Sequence, residues 1–383
     1  MPSSSENPPS TGADRRKRLR SGFTTGAAAA AAAGAALSLL LEGKAPAEVT
    51  IRMLNGESLS IPIHRSGIEE GMAWTTVIKD AGDDPDVTNG AEIGARVRRI
   101  DTPDRQGVQT PMELSQIEII GAEGVGRVTL PGLEVPPGNP AINPGPVRMI
   151  RETIRDVLQR IGIDIGVQVS VFVPEGERLS RKTLNARLGI VGGISILGTT
   201  GWVRPMSHEA FTASIDAALS VARASGCPHV VFSTGRRSER AAQTFFASLP
   251  PVAFIQIGDF FHHSLRGAAQ LGFAEITLAV FFGKAVKMAM NIPCTHARNA
   301  DMPLAALAKW TLDQTSDGRL AEAVGRSNTA REALGLLWPD HPTVIADVGR
   351  RIIESARTVV RGFPIHISGV LFDFAGRPLF HQG

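Results

Sequence analysis

Short apolar segments separated by Gly, Pro and Asp turns run through the first half of the chain. This texture is typical of strands in a sheet. The predicted strands are residues 49–53, 59–64, 74–79, 91–100, 116–120, 126–130 and 167–173. Residues 146–161 carry apolar side chains on one helical stripe, and a second helix is predicted from Gly26 to about Leu41. We therefore expect an N-terminal mixed-sheet α+β domain.

The pattern changes after Gly189. Three short apolar runs, HVVFS (229–233), VAFIQI (252–257) and EITLAVFF (275–282), are each followed by a helical segment. That alternation predicts βαβ units and a parallel sheet. Helices are expected over 207–224 and 303–361, and a last strand over 364–374. The second domain is thus predicted to be a Rossmann-like parallel-sheet α/β domain with a helical C-terminal region.

These patterns predict three parts of the chain. Residues 1–18 are rich in Ser and Pro and are expected to form a disordered tail. The mixed α+β domain is placed at 19–195 and the Rossmann-like α/β domain at 196–383. A membrane span is not expected, because no stretch of about 18 strongly apolar residues occurs.

Composition excludes several classes of protein. The 383 residues include two cysteines, Cys227 and Cys294, and neither belongs to a paired-cysteine motif. A disulfide scaffold and a structural zinc site are therefore disfavoured. The net charge of +3 is small, and aromatic residues make up only 5%. Both values argue against a nucleic-acid-binding protein.

The stretch from Arg15 to Leu41, RRKRLRSGFTTGAAAAAAAGAALSLLL, allows two interpretations. A basic cluster before an apolar run resembles a secretory signal. Alternatively, Thr24-Thr25-Gly26 begins a helix, where a threonine caps the first turn and free N–H groups favour an anion. An ordinary cap without a ligand explains the same residues.

Two further loops have the composition of binding segments. Residues 79–88, KDAGDDPDVT, hold four carboxylates, but they lack EF-hand spacing, so a solvated turn is favoured over a metal site. Residues 121–146 are dense in Gly and Pro and predict a long rigid loop. Its end at Asn143 and the following Arg148 suit the wall of a binding site.

A second Thr-Thr-Gly occurs at residues 199–201, again before a predicted helix. The repetition has two explanations, chance or two polar turns that face one cleft. Similar polar residues follow the predicted parallel strands, at 234–236 and 258–259. Ligands bind at that edge of open α/β sheets, so Thr234-Gly235-Arg236 is a candidate anion site and Asp259 a candidate acceptor for ribose hydroxyls. Cys294 is a weak candidate nucleophile.

Together these segments resemble one family. LRSGFTTGAAAAAA, AGDDPDVTNG, NPAINPGPVRMI, RLGIVGGISILGTTGWVRPMS and GKAVKMAMN…CTHARNADM occur in the order found in cobalt-precorrin-5B C(1)-methyltransferases of anaerobic cobalamin biosynthesis. The resemblance spans residues 19 to about 310. It implies that a methyl group moves from S-adenosylmethionine to C1 of a cobalt corrinoid, giving cobalt-precorrin-6A.

The polar segments and the resemblance together give a set of candidate site residues. Thr25 and Thr200 are the candidate catalytic residues, and the methyl donor is assigned to Thr234, Gly235, Gly258 and Asp259. The residues assigned to the substrate are Thr24, Gly26, Asn143, Arg148, Arg187, Thr199, Gly201, Arg204, Arg236, His296 and Arg298. The arginines suit a substrate with several carboxylates, since each charged hydrogen bond contributes roughly 1.5–3 kcal/mol.

The implied partners are small molecules. S-adenosylmethionine is the expected methyl donor, the corrinoid is the substrate, and cobalt belongs to the substrate and not to a protein metal site. Nucleic-acid and membrane partners are not expected, whereas a homo-oligomer is compatible with the sequence. A cytoplasmic location follows, and the signal-like stretch at Arg15–Leu41 is then interpreted as a false positive.

Two other functions stay open at this point. A nicotinamide-dependent reductase of the same pathway would use the α/β sheet, although the chain lacks a G-x-G-x-x-G fingerprint. A non-catalytic carrier that shields a tetrapyrrole would bind the corrinoid and have no affinity for S-adenosylmethionine.

Overall fold

The structure is a computed structural model of the chain, and it describes residues 19–100, 117–205, 207–295 and 303–383. The described strands are β1 Gly22–Phe23, β2 Glu48–Arg52, β3 Ser58–Pro62, β4 Arg65–Glu69, β5 Met72–Ile78, β6 Glu92–Ile100, β7 Ile117–Gly121, β8 Arg127–Val128, β9 Gly166–Phe172, β10 Ile190–Val191, β11 Trp202–Val203, β12 His229–Ser233, β13 Phe254–Gln256, β14 Glu275–Phe281, β15 His366–Phe372 and β16 Pro378–Gln382. The described α-helices are α1 Thr25–Glu42, α2 Pro144–Ile161, α3 Gly176–Ser180, α4 His208–Ala224, α5 Arg236–Phe245, α6 Phe261–Gln270, α7 Phe282–Ala289, α8 Leu304–Thr315, α9 Gly318–Gly325, α10 Ala330–Leu337 and α11 Pro342–Val359.

The N-terminal half is built on a mixed five-stranded sheet of order β4-β5-β6-β9-β7. Neighbouring strands within this sheet pair antiparallel, except for β7 and β9, which pair parallel. Alternate residues of the central strands, such as Val77, Ile93 and Val97, are fully buried. This alternation is expected of strands that cover a core with one face.

Helix α1 fills the N-terminal core. Every alanine from Ala27 to Ala33 has no exposed surface, and the small side chains let neighbouring elements approach the helix backbone. A Cβ at Gly26 would lie 2.6 Å from Cγ of Pro146, and one at Gly34 would lie 2.6 Å from Cγ2 of Thr153, both on α2. Among the described helices, α1 is long and apolar enough to cross a membrane, but 83% of it is buried inside the protein. It is a core helix of this fold.

The C-terminal half is built on a second five-stranded sheet, of order β13-β12-β14-β15-β16. The first four strands pair parallel, and only β16 is antiparallel to its neighbour. Helices α4, α6, α7 and α8–α11 pack with buried apolar side chains of this sheet into one core. The order reverses between β12 and β14, and in open α/β sheets the carboxyl edge at such a reversal is the usual place for a ligand.

The predicted mixed sheet followed by a mostly parallel sheet is confirmed. Strand β4 was missed because four of its five residues are exposed, so no apolar alternation marks it. The predicted strand at 126–130 has only two residues in strand conformation, Arg127 and Val128. The last predicted strand is shorter than expected and is followed by β16, which forms an edge that the sequence pattern did not indicate.

The proposed domain limits at 195 and 196 stay a prediction. One structural fact bears on them, because β1 pairs antiparallel with β11, so Trp202 and Val203 join the N-terminal half. The predicted disordered tail, residues 1–18, lies outside the described residues.

Candidate functional site

The two Thr-Thr-Gly turns lie against each other. The backbone N–H of Thr24 donates to the carbonyl of Gly201 at 2.9 Å, and the N–H of Gly26 donates to the carbonyl of Leu197 at 3.1 Å. Residues more than 170 positions apart therefore form one compact cluster. The two turns are thus in direct contact, whereas a cleft that both of them face stays a prediction.

The hydroxyl of Thr25 connects the first turn of α1 to the second polar turn. It accepts the N–H of Leu197 at 2.9 Å and lies 3.3–3.4 Å from the carbonyls of Leu197 and Ser195. Thr25 is only 3% exposed. Its contacts fix the backbone of residues 195–197, which gives this side chain a positioning role.

The start of α2 completes the cluster. The N–H of Asn143 donates to the carbonyl of Ile196 at 2.9 Å, and a Cβ at Gly145 would lie 2.6 Å from the carbonyl oxygen of Gly198. Gly198 itself has φ +150°, and a Cβ there would lie 2.4 Å from Oγ1 of Thr24. A side chain at either glycine would push the three segments apart.

The first turn of α1 has fewer free donors than the sequence suggested. Ala27 N–H donates to Oγ1 of the N-cap Thr24, and Gly26 N–H is used by Leu197. Thr24 and Thr25 are buried, whereas Leu197, Thr199 and Thr200 are exposed. The accessible part of the cluster is therefore the turn at 197–200, and any anion must meet that turn before α1.

The acidic segment at 79–88 is a structured turn. Lys79 is 1% exposed and its ammonium contacts the carboxylate of Asp86 at 2.5 Å. Burial would raise the pKa of Asp86, but the charge and hydrogen bond of Lys79 and the hydrogen bonds of Thr88 together lower it. Asp80 is paired with Arg20. Among the described residues no group of three or more His, Cys, Asp or Glu side chains could hold a metal ion.

The four residues assigned to the methyl donor lie at the carboxyl edge of the parallel sheet. The N–H of Ile257 donates to the carbonyl of Ser233 at 2.8 Å, which places Gly258 beside Thr234 and Gly235. Asp259 is anchored, because its Oδ1 accepts from Oγ1 of Thr295 at 2.8 Å and from the ammonium of Lys284.

A cavity of about 590 Å³ lies beside these loops, between α5 and the end of the sheet. Its floor is aromatic, with Phe281, Phe372 and Phe374, and Arg237 and Arg240 line its wall from α5. Cavities of this size, apolar with a few charged groups, are typical of small-molecule sites.

The arginines assigned to the substrate differ in availability. Both terminal nitrogens of Arg187 donate hydrogen bonds to the carboxylate of Glu239 on α5. The Glu239 side chain is only 3% exposed. The guanidinium of Arg187 therefore joins the two halves of the protein. Arg148 pairs with Glu152 on the surface of α2. Arg204 and Arg236 are exposed, and His296 and Arg298 lie outside the described residues.

Three side chains near these strand ends were assigned no role from the sequence. Lys284 holds Asp259, Glu239 holds Arg187, and Ser233 ends β12 with a buried hydroxyl. A polar residue at the end of an otherwise apolar run was the available signal for Ser233. No local pattern pointed to the two ion pairs, because their partners are 25 and 52 residues apart.

These features define a two-sheet α/β protein with polar turns on both halves. The chain matches the family model described as CbiD over residues 12–205 and the model described as CbiD, C-terminal domain, over residues 294–383. It therefore belongs to the CbiD family, as the sequence resemblance predicted.

Relatives of known name agree with the family models. A cobalt-precorrin-5B C(1)-methyltransferase of Pelobacter propionicus is 40% identical over 394 residues, covering 95% of this chain and 96% of that protein. The enzyme of the same name from Geobacter sulfurreducens is 42% identical, covering 92% of this chain and 96% of that protein. A crystal structure of the cobalamin biosynthesis protein cbiD from Archaeoglobus fulgidus is 28% identical, covers 70% of this chain and 79% of that one, and has a TM-score of 0.38.

Proposed function

We propose that the chain is a cobalt-precorrin-5B C(1)-methyltransferase that uses S-adenosylmethionine and yields cobalt-precorrin-6A, during cobalamin biosynthesis in the cytoplasm. The observation that carries the proposal is the cluster at α1, α2 and residues 195–201. Three segments that the family shares converge there, and their closest contacts need Gly26, Gly145 and Gly198. These contacts hold the exposed turn at 197–200 in one position, which suits a turn that binds the substrate.

The chemistry suits a site built for alignment. When bound, S-adenosylmethionine supplies an electrophilic methyl group on a positively charged sulfur, which leaves as a neutral thioether. The chain then needs to hold the corrinoid carbon in line with that methyl group and to exclude water. Positioning of this kind contributes up to about 7–11 kcal/mol to a rate.

The residues at the carboxyl edge of the parallel sheet fit the methyl donor. Helix α5 begins there at Arg236 after Gly235, which has no side chain to cap the first turn. Its N–H groups suit a carboxylate, and the aromatic cavity beside it suits an adenine ring. Thr234 and Gly258 line the same edge, and Asp259 keeps the second loop in place through Lys284.

The turn at 197–200 is the proposed contact for the corrinoid. Thr199 and Thr200 are exposed and can donate to substrate oxygens, whereas Thr24, Thr25 and Gly26 hold the turn from below. Gly201 and Asn143 belong to the same cluster, Gly201 through Thr24 and Asn143 through Ile196. Arg148, Arg204 and Arg236 are the exposed cations proposed for substrate carboxylates, together with His296 and Arg298. Arg187 supports the site by joining the halves.

The deciding experiment is mass spectrometry of the corrinoid after incubation with S-adenosylmethionine labelled in its methyl group. The expected product is heavier by one labelled methyl, and Thr200→Ala should form it more slowly than the wild type. Thr358→Ala, an exposed threonine on α11, is the matched control and should keep full turnover.

Two outcomes would contradict the proposal. An unmodified corrinoid that stays bound to protein would indicate a carrier. Loss of reduced-nicotinamide absorbance on addition of corrinoid would indicate a reductase.

A further inference from the structure

Ser233 carries a buried hydroxyl for which the described residues provide no hydrogen-bond partner. It is the last residue of β12, at the carboxyl edge of the parallel sheet, and is 1% exposed. Its Oγ makes no hydrogen bond within the described part of the chain. Leaving such a group unpaired costs the folded state free energy, so a purely structural position would favour alanine.

The register of the sheet shows where this hydroxyl points. Ser233 lies beside Gln256 of β13 and Ala279 of β14. Side chains of residues paired in register point to the same face of a sheet. The Gln256 amide donates to the carboxylate of Glu239 on α5 at 2.8 Å, so its side chain lies on the face that α5 covers. The Ser233 side chain is therefore on the face covered by α5, at the level of the first turn of that helix.

The first turn of α5 offers donors in the same place. The helix has ten residues, and its N-cap Gly235 provides no side-chain acceptor. A Cβ at Gly235 would meet no atom within 4 Å, so the space before the helix is open. The N–H groups of the first turn and the helix dipole favour an anion there.

The aromatic cavity lies on the same face of the sheet. Phe281 lies two residues beyond Ala279 on β14, so it shares the face of Ser233, and Phe372 is its partner in register. Both phenylalanines line the cavity of about 590 Å³, as does Arg237 from the first turn of α5. The cavity therefore lies on the face of the sheet that carries Ser233, with the first turn of α5 at its wall.

We propose that the Ser233 hydroxyl and the first turn of α5 bind a carboxylate of the ligand in this cavity. The assignment rests on the proposed methyltransferase function and adds to it a specific anion site. A carboxylate can accept hydrogen bonds from both the Ser233 hydroxyl and the N–H groups of α5. An uncharged ligand group would gain no stabilisation from the helix dipole. Two sources exist, the amino-acid end of the methyl donor and a side chain of the corrinoid.

The test is Ser233→Ala, with Ser225→Ala at the exposed end of α4 as the matched control. Isothermal calorimetry measures binding of S-adenosylhomocysteine and of its decarboxylated analogue. We expect Ser233→Ala to weaken the binding of S-adenosylhomocysteine by roughly tenfold, because one hydrogen bond to a charged group is lost. The affinity for the decarboxylated analogue should be unchanged. The Tm of ligand-free Ser233→Ala should equal or exceed that of the wild type.

Other results have definite meanings. A rise in KM for the corrinoid, with unchanged S-adenosylhomocysteine affinity, would support the site and assign the carboxylate to the corrinoid. Unchanged values for both ligands would overturn the anion site, and so would a lower Tm, which would reveal a protein partner for the hydroxyl. Failure of the proposed function is separate, because the wild type would then transfer no labelled methyl group.

Discussion

Replacing Thr25 by valine tests the contact that joins the two polar turns. The substitution keeps the branched shape of the side chain but removes the oxygen that accepts the Leu197 N–H at 2.9 Å. It also removes the donor that faces the carbonyls of Ser195 and Leu197. Because Thr25 is 3% exposed, water cannot replace these bonds.

The size of the effect follows from the lost hydrogen bond. A buried donor left without an acceptor costs about 1–3 kcal/mol. For a core of this size, each kcal/mol lost from the free energy of unfolding lowers Tm by roughly 2–4 °C. We therefore expect the Tm of the N-terminal half to decrease by about 2–12 °C. Thr25→Ser keeps the hydroxyl and loses one methyl group, which costs about 0.8 kcal/mol.

Calorimetry and methyl-transfer kinetics measured together separate the two roles. Thr25→Val should lower both Tm and turnover, since the turn at 197–200 loses its support, whereas Thr25→Ser should retain turnover. Thr200→Ala should reduce turnover with little change in Tm, because Thr200 is exposed. Wild-type Tm and turnover in Thr25→Val would refute the positioning role.

Three further substitutions probe charges. Lys79→Met leaves the Asp86 carboxylate without its buried partner and should destabilise the fold by about 3–5 kcal/mol in urea denaturation, with part of the loss recovered by adding Asp86→Asn. Arg187→Met should lower the unfolding midpoint through the unpaired Glu239, and Glu239→Gln in the same chain should restore part of it. Burial lowers the pKa of His229, so the unfolded chain binds more protons below about pH 6.5. The free energy of unfolding should therefore fall between pH 7.5 and 5.5, and His229→Gln should reduce that fall.

Elements with a strong hydrophobic period were predictable. Helix α2 has an apolar stripe that ends near Ile161, and the runs at 229–233 and 275–282 became two central strands. A central parallel strand is buried on both faces, so its sequence is continuously apolar. Strand β4 is mostly exposed at the edge of its sheet, and its pairing with β5 follows from the neighbouring strand and not from its own residues.

The candidate site was predictable in composition and not in arrangement. Glycine and threonine marked the turns at 24–26 and 199–201 as unusual, yet nothing in their spacing required that they touch. Arg187 has the chemistry to bind a substrate carboxylate, but its partner in the fold is Glu239. Free helix N–H groups were expected at the starts of both α1 and α5. The side chain of Thr24 caps α1, whereas Gly235 leaves the first turn of α5 without a side-chain cap.

By itself, the sequence determined the order of the strongly periodic strands and helices, the alanine-rich helix α1 and the family to which the chain belongs. These depend on residues close together along the chain, where hydrophobic period and turn preferences act directly. Only the tertiary structure decided that Thr24 meets Gly201, that Arg187 is used between the halves and that the Ser233 hydroxyl is buried below α5. Such contacts arise when distant segments pack into one core, so each side chain takes its partner from a neighbour that the local sequence does not specify.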